Sequence, residues 1–354
     1  MTAPAPKPSL RRRQAARARR VRWTHLSDEQ LLGLRLCDLR LDLHRSPLRR
    51  HVQRLYRELD GRGIRFRPHV WLAGEWFSPD GVPGIAVPFY LAHPRLMRLE
   101  RKMTQEVEGG NVNWLMRILR HEAGHAIDSA YRLRRRALWR ALFGPASRPY
   151  RVLYRARPAS RNHVQHLGDW YAQSHPTEDF AETFAVWLTP RSSWQRRYGS
   201  WPALRKLNFV QQFAGEAGAA RPPVRGRDRI EPLDIDRRTL AQYYRSRLVR
   251  ARARRGLLAD RLIGEVFTSE PGARALSAAA LLRSHKAQLL TSTIRATGVD
   301  RYGAHQIIRT VIERCRRRRL YVCGSRRHSL SAARAMLHHL GRSYMRSHGL
   351  RLSA

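Results

Sequence analysis

His121, Glu122 and His125 form the pattern His-Glu-Ala-Gly-His, which ends a run opening at Ile118 and continues through Ala126 and Ile127 to Asp128. A helix advances about 100° per residue, so two histidines four apart project from one face and can reach a single ion. Glu122 then points beside that ion, where a carboxylate can handle protons. Asp128 falls almost in line with His121, so it is expected to accept the spare imidazole N–H and fix the ring. Trp114, Leu115, Ile118 and Leu119 supply the apolar spacing of a real helix.

A catalytic zinc needs a third protein ligand and keeps a further position for water. Downstream, Glu178 and Glu182 stand four apart in a segment opening near Pro176 or Thr177 and closing at Thr189 and Pro190, both ordinary helix boundary signals. Phe180, Phe184, Trp187 and Leu188 give this second helix a packing side and leave its acidic face for the metal. Acidic residues in a first turn also serve the helix dipole with no metal at all. His163, His166 and His175 are read as surface residues or as satisfying local hydrogen bonds, because two histidines and a glutamate already complete the set.

The His-Glu-x-Gly-His-Ala-aliphatic-Asp segment, with Glu-x-Phe-Ala-Glu after it, resembles the zinc-peptidase domain of anthrax lethal factor and related zinc-binding metallopeptidases of the gluzincin type. The outline covers roughly residues 25 to 215, although specific identity is confined to about 30 of them. The resemblance implies zinc ligands at His121, His125 and Glu178, one zinc per chain, a general base at Glu122, and Glu182 supporting from behind. It also implies a tyrosine seven residues before the glutamate ligand, aimed at the substrate carbonyl. Tyr171 occupies that offset, with packing beside Trp170 as its plainer use. The implied activity is peptide hydrolysis, with an endopeptidase expected over an exopeptidase and a peptide or protein as substrate.

The implied fold is α+β: a zincin-like domain with a small mixed sheet and active-site helices, then a mainly helical basic region. Residues 63–68, 70–73 and 84–91 read as strands, separated by turn chemistry at Ser78, Pro79, Asp80 and Gly81. The 84–91 segment is nominated as the edge strand that pairs with an extended substrate, Pro88 fitting an edge. Ser27 and Gln30 form a capping box for a helix expected to run through Leu31 and Leu34 to about Leu43. Leu48, Val52, Leu55 and Leu59 mark the next helix.

Four regions are expected: a disordered basic tail over 1–24, the peptidase domain over 25–215, a Gly- and Pro-rich linker over 216–236, and a helical domain over 237–354. Within the last, helices are expected over 239–255, 273–296, 304–319 and 331–348. Cys37, Cys315 and Cys323 are too few and too scattered for a disulfide framework. With no apolar export or membrane-spanning run in the sequence, a cytoplasmic protein is expected.

The net charge of +42 comes almost wholly from arginine, since Lys7, Lys102, Lys206 and Lys286 are the only lysines. A surface this basic attracts nucleic acid, anionic membrane or acidic protein with an affinity that falls with salt. The alternative function is therefore a polyanion- or nucleic-acid-binding protein on a peptidase scaffold that no longer cuts. An intact Glu122 favours the enzyme.

Overall fold

The computed structural model describes residues 23–104, 107–150, 157, 159–168, 170–271 and 276–348. The basic N-terminal stretch, Met1 to Arg22, lies outside them. The described chain is mostly helical, with two small two-stranded sheets, in keeping with an α+β class.

Helix α1 (Asp28–Leu32) carries the expected capping box: Gln30 N donates to Ser27 Oγ at 3.2 Å, and Ser27 N donates to Gln30 Oε1 at 3.0 Å. It stops at Gly33 and does not reach Leu43. The backbone beyond is taken by a distant segment: Leu36 N donates to Arg238 O, Cys37 N to Asp236 O, and Leu240 N to Leu34 O. A chain paired in that way cannot also close helical i to i−4 bonds. Helix α2 (Leu48–Asp60) buries Leu48, Val52, Leu55 and Leu59, the stripe its spacing predicts.

Strands β1 (His69–Ala73) and β2 (Gly84–Pro88) pair in parallel, Trp71 opposite Ala86. Residues 63–68 form no strand; the Tyr56 hydroxyl takes the Pro68 carbonyl at 2.7 Å, and Arg67 turns to Asp60 at 2.9 Å. β2 is not the free edge expected of the 84–91 segment. All five of its residues are buried, and beyond Pro88 the chain winds into a 3-10 turn, Phe89–Ala92. On the side away from β1, Ala86 N donates to Phe77 O at 2.8 Å and Phe77 N to Ala86 O at 3.4 Å. The turn through Ser78 and Gly81 thus folds the chain back onto the ladder where a substrate would have to pair.

Helices α3 (Pro94–Thr104), α4 (Val112–Tyr131), α5 (Ala137–Phe143), α6 (Pro176–Leu188), α7 (Trp194–Tyr198) and α8 (Leu204–Ala219) complete one hydrophobic core. Residues 220–239, most of the expected linker, are laced to this core. Val224 N donates to Ala130 O at 3.1 Å, Trp71 Nε1 donates to Ile230 O at 3.0 Å, and Leu233 is buried. Helix α9 (Leu240–Val266), opened by a Thr239/Gln242 capping box, belongs to two cores. Leu240, Tyr243 and Tyr244 lie in the first, whereas Ala259 and Ile263 lie in a second core. Helices α10 (Ala278–Ser284), α11 (Lys286–Thr297), α12 (Arg301–Arg317) and α13 (Arg326–His348) surround that second core. Strands β3 (Phe267–Thr268) and β4 (Tyr321–Val322) pair antiparallel beside it. Of the helix expected over 273–296, residues 273–275 lie outside the described residues and the remainder holds two helices, broken at His285.

Candidate metal centre

α4 and α6 form the frame of the site. Asn111 caps α4, its side chain accepting from Trp114 N at 2.9 Å; Pro176 sits in the first turn of α6, where its missing N–H leaves nothing unsatisfied. Gly124 lets the two helices touch: a Cβ there would lie 2.8 Å from Ala181 Cα and 3.2 Å from Phe184 Cβ. Any side chain would meet backbone and not a movable tip, so the glycine between the histidines sets the helix spacing.

At that spacing three ligand atoms converge. His121 Nε2 lies 3.0 Å from Glu178 Oε2, His125 Nε2 lies 3.2 Å from the same oxygen, and the two imidazole nitrogens are 3.2 Å apart. His121, His125 and Glu178 form a group that can hold a metal ion. Two imidazoles and one carboxylate are a donor set that suits zinc at a catalytic centre. The residue between the histidines fits as well. Glu122 is only 7% exposed, yet its Oε2 is buried with no hydrogen-bond partner among the described residues. A buried polar atom of this kind is one that a bound water or ligand can satisfy.

Behind the ligands, His121 Nδ1 lies 2.9 Å from Glu182 Oε1, and Glu182 Oε2 accepts from Leu167 N at 2.8 Å. Glu182 is fully buried, so this pair fixes the ring that faces Glu178. Asp128 does not share that duty. Arg134 takes both of its oxygens, from backbone N at 2.8 Å and from Nε at 2.7 Å, and extends Nη1 to Asp80 at 2.7 Å. Alignment on the helix put Asp128 under His121; the left-handed turn at Arg132 brings Arg134 back onto it first.

Burial disfavours a charge on His121, but Glu178 and Glu182 outweigh it and raise the imidazolium to about 10. Burial would also raise Glu178; His125 and His121 reverse that and hold its carboxyl far below the usual range. Metal ligands bind an ion in their deprotonated form, so protons would compete with a cation for this group. Glu122 moves the other way: burial raises it, opposed by His121 and His125. A carboxylate that takes up protons more readily than usual suits a base.

The remaining candidates fall where local bonding puts them. The Tyr171 ring centroid lies 5.6 Å from that of His121, beside the ligands, and burial raises its hydroxyl. His166 lies 2.9 Å from Arg117 O, His163 lies 3.7 Å from Asp179, and His175 caps α6. Two features carried no signal in the sequence. Tyr150, from a stretch without periodicity, reaches the Glu178 carboxyl. Lys206 makes a 2.5 Å ion pair with the buried Asp179, on the residue after Glu178.

Residues 99–195 match the model of a family described as putative zinc-binding metallo-peptidase. The matched stretch holds both helices of the site and less than a third of the chain, so it bears on the metal centre and not on the C-terminal helices. No curated protein and no solved structure matches the chain. The likeness to anthrax lethal factor therefore rests on the motif alone.

Proposed function

We propose that the chain is a zinc-dependent peptidase of zincin-like fold, with His121, His125 and Glu178 as the protein ligands of one zinc and Glu122 as general base. The observation that carries this reading is the convergence of three ligand atoms beside a buried carboxylate oxygen with no partner among the described residues. Zinc held there supplies Lewis acidity towards a water molecule and the scissile carbonyl. Glu122 takes the proton of the attacking water and returns it to the leaving amine. Its raised proton affinity, set by burial, serves the first transfer and lets it hold the proton between the two. Tyr171, its ring beside His121, donates a hydrogen bond to the oxyanion that develops on the carbonyl; a hydroxyl kept protonated by burial can do so at neutral pH. Glu182 keeps His121 turned to the ion. Asp128 serves the fold by holding the Arg134 turn.

The test is zinc per chain together with hydrolysis of an unfolded protein substrate, for wild type and Glu122→Gln. The expected result is about one zinc in each, with cleavage lost by about 10²-fold or more in the variant. Equal cleavage by both proteins would refute the assignment of Glu122.

The arginine surface supports a second property of the same molecule, non-specific contact with polyanions. In the C-terminal helices Asp260 already meets Arg314 and Glu265 meets Arg261, while Arg283, Arg295, Arg309, Arg326 and Arg327 are exposed. Binding to duplex DNA that weakens steeply between 50 and 200 mM salt is the expected observation; binding indifferent to salt would count against it.

A further inference from the structure

Tyr150 belongs to none of the motifs, and 60% of it is exposed, yet it is held from three directions. Its ring stacks on His175 with centroids 3.7 Å apart and planes 14° apart. Its hydroxyl donates to Glu178 Oε1 at 3.0 Å and lies 2.5 Å from Thr177 Oγ1. His175 is itself fixed, its Nδ1 accepting from Thr177 N at 3.2 Å and its Nε2 lying 2.5 Å from Arg148 O. A side chain that burial does not immobilise is thus fastened to the start of α6, one residue before Glu178.

The two oxygens of Glu178 have separate partners. Oε2 faces both imidazoles, and Oε1 faces Tyr150. A carboxylate can bind a cation through one oxygen or through both, and the difference decides how many coordination positions remain. We infer that Tyr150 is a positioning residue for the metal centre: by engaging Oε1 it keeps Glu178 a one-oxygen ligand and so preserves the position a substrate carbonyl needs. This inference rests on zinc binding at His121, His125 and Glu178. Three single-atom ligands leave a tetrahedral ion one open position and allow a fifth during reaction. A two-oxygen glutamate would occupy that room with protein.

A purely structural use of Tyr150 would be to prop His175 and the start of α6 by stacking. Tyr150→Phe separates the two, because it keeps the ring and removes only the hydroxyl. Three measurements are needed on wild type and variant: zinc Kd by competition with a chromophoric chelator, the visible absorption of the cobalt(II)-substituted proteins, and the thermal midpoint of the metal-free proteins. Loss of the hydroxyl is expected to weaken zinc binding about 10- to 100-fold, as other supporting hydrogen bonds to metal ligands do. The cobalt band should lose intensity as four-coordinate geometry gives way to five, and the metal-free midpoint should not move. A variant with the wild-type zinc Kd and cobalt spectrum overturns the inference, whether or not its midpoint falls. A wild-type chain that binds no zinc overturns the metal centre itself, a result that needs no variant and is therefore distinguishable.

Discussion

Replacing Gly124 with alanine tests whether the close crossing of α4 and α6 sets the metal geometry. The added Cβ would lie 2.8 Å from Ala181 Cα and 3.2 Å from both Ala181 O and Phe184 Cβ. Carbon atoms rest about 3.5–4.0 Å apart, so the helices must part locally by roughly 0.7–1.2 Å. Metal–ligand distances tolerate only about 0.2 Å. Two opposing terms act on the fold: alanine is better in a helix than glycine by about 1 kcal/mol, and overpacking costs about 1–3 kcal/mol. The metal-free variant can relax by parting its helices and should unfold within about 2 kcal/mol of wild type. In the proposed zinc-bound form, parting the helices would lengthen the bonds that join the ion to His121 and His125 on one helix and to Glu178 on the other. The strain should therefore appear in affinity, where about 1–3 kcal/mol corresponds to roughly 5- to 150-fold weaker zinc. The assay is zinc competition against a chelator, alongside urea unfolding of the metal-free proteins. A variant that binds zinc within about twofold of wild type would refute the argument that Gly124 sets the ligand spacing.

Other perturbations reach different parts of the site. Glu182→Gln should weaken zinc binding about 10- to 100-fold, read by the same competition, because the charge that orients His121 through Nδ1 is removed. Lys206→Met should lower stability in urea by about 3–5 kcal/mol by stranding buried Asp179, and adding Asp179→Asn should restore most of it. Burial lowers His166 from 6.5 to about 4, against the opposing pull of Glu182 and the Arg117 carbonyl. Between those pH values the unfolded chain binds the proton that the folded chain refuses, so stability should fall as pH drops from 6.5 towards 4. A chemical-denaturation series over that interval should show a shallower slope for His166→Gln; an unchanged slope would remove His166 from the account.

The part of the site carried by helical periodicity was legible in the sequence. His121, His125, Glu178 and Glu182 sit on two regular helices whose faces follow from 3.6 residues per turn, and the structure brings these residues together. Contacts decided by loops were not legible. Asp128 was aligned with His121, but Arg134 turns back to it through a left-handed residue that the helical pattern does not contain. Tyr150 precedes Glu178 by 28 residues and reaches it through a connection with no periodic signal. The same physics governs the larger elements. Helix α1 ends at Gly33 because residues 34–37 pair with residues 236–240, some two hundred positions away, and local propensity carries no trace of such pairing. Ala86 is met by Phe77 across a tight turn, which removes the free edge that Pro88 suggested. The Gly- and Pro-rich stretch 216–236 reads as a linker, yet its first residues end helix α8 and its later carbonyls and N–H groups find partners on β1 and α4.

Helix α9 is 27 residues long, a rod of about 40 Å that starts inside one core and finishes inside the other. Near its start, the Tyr243 hydroxyl donates to Gly74 O at 2.7 Å, and Arg247 reaches buried Glu100 at 2.6 Å. Four residues beyond Gly74, Ser78 Oγ donates to the backbone carbonyl of Glu122 at 3.0 Å. One helix thus joins the second core, through Tyr243 and the segment from Gly74 to Ser78, to the turn that holds the α4 backbone at Glu122.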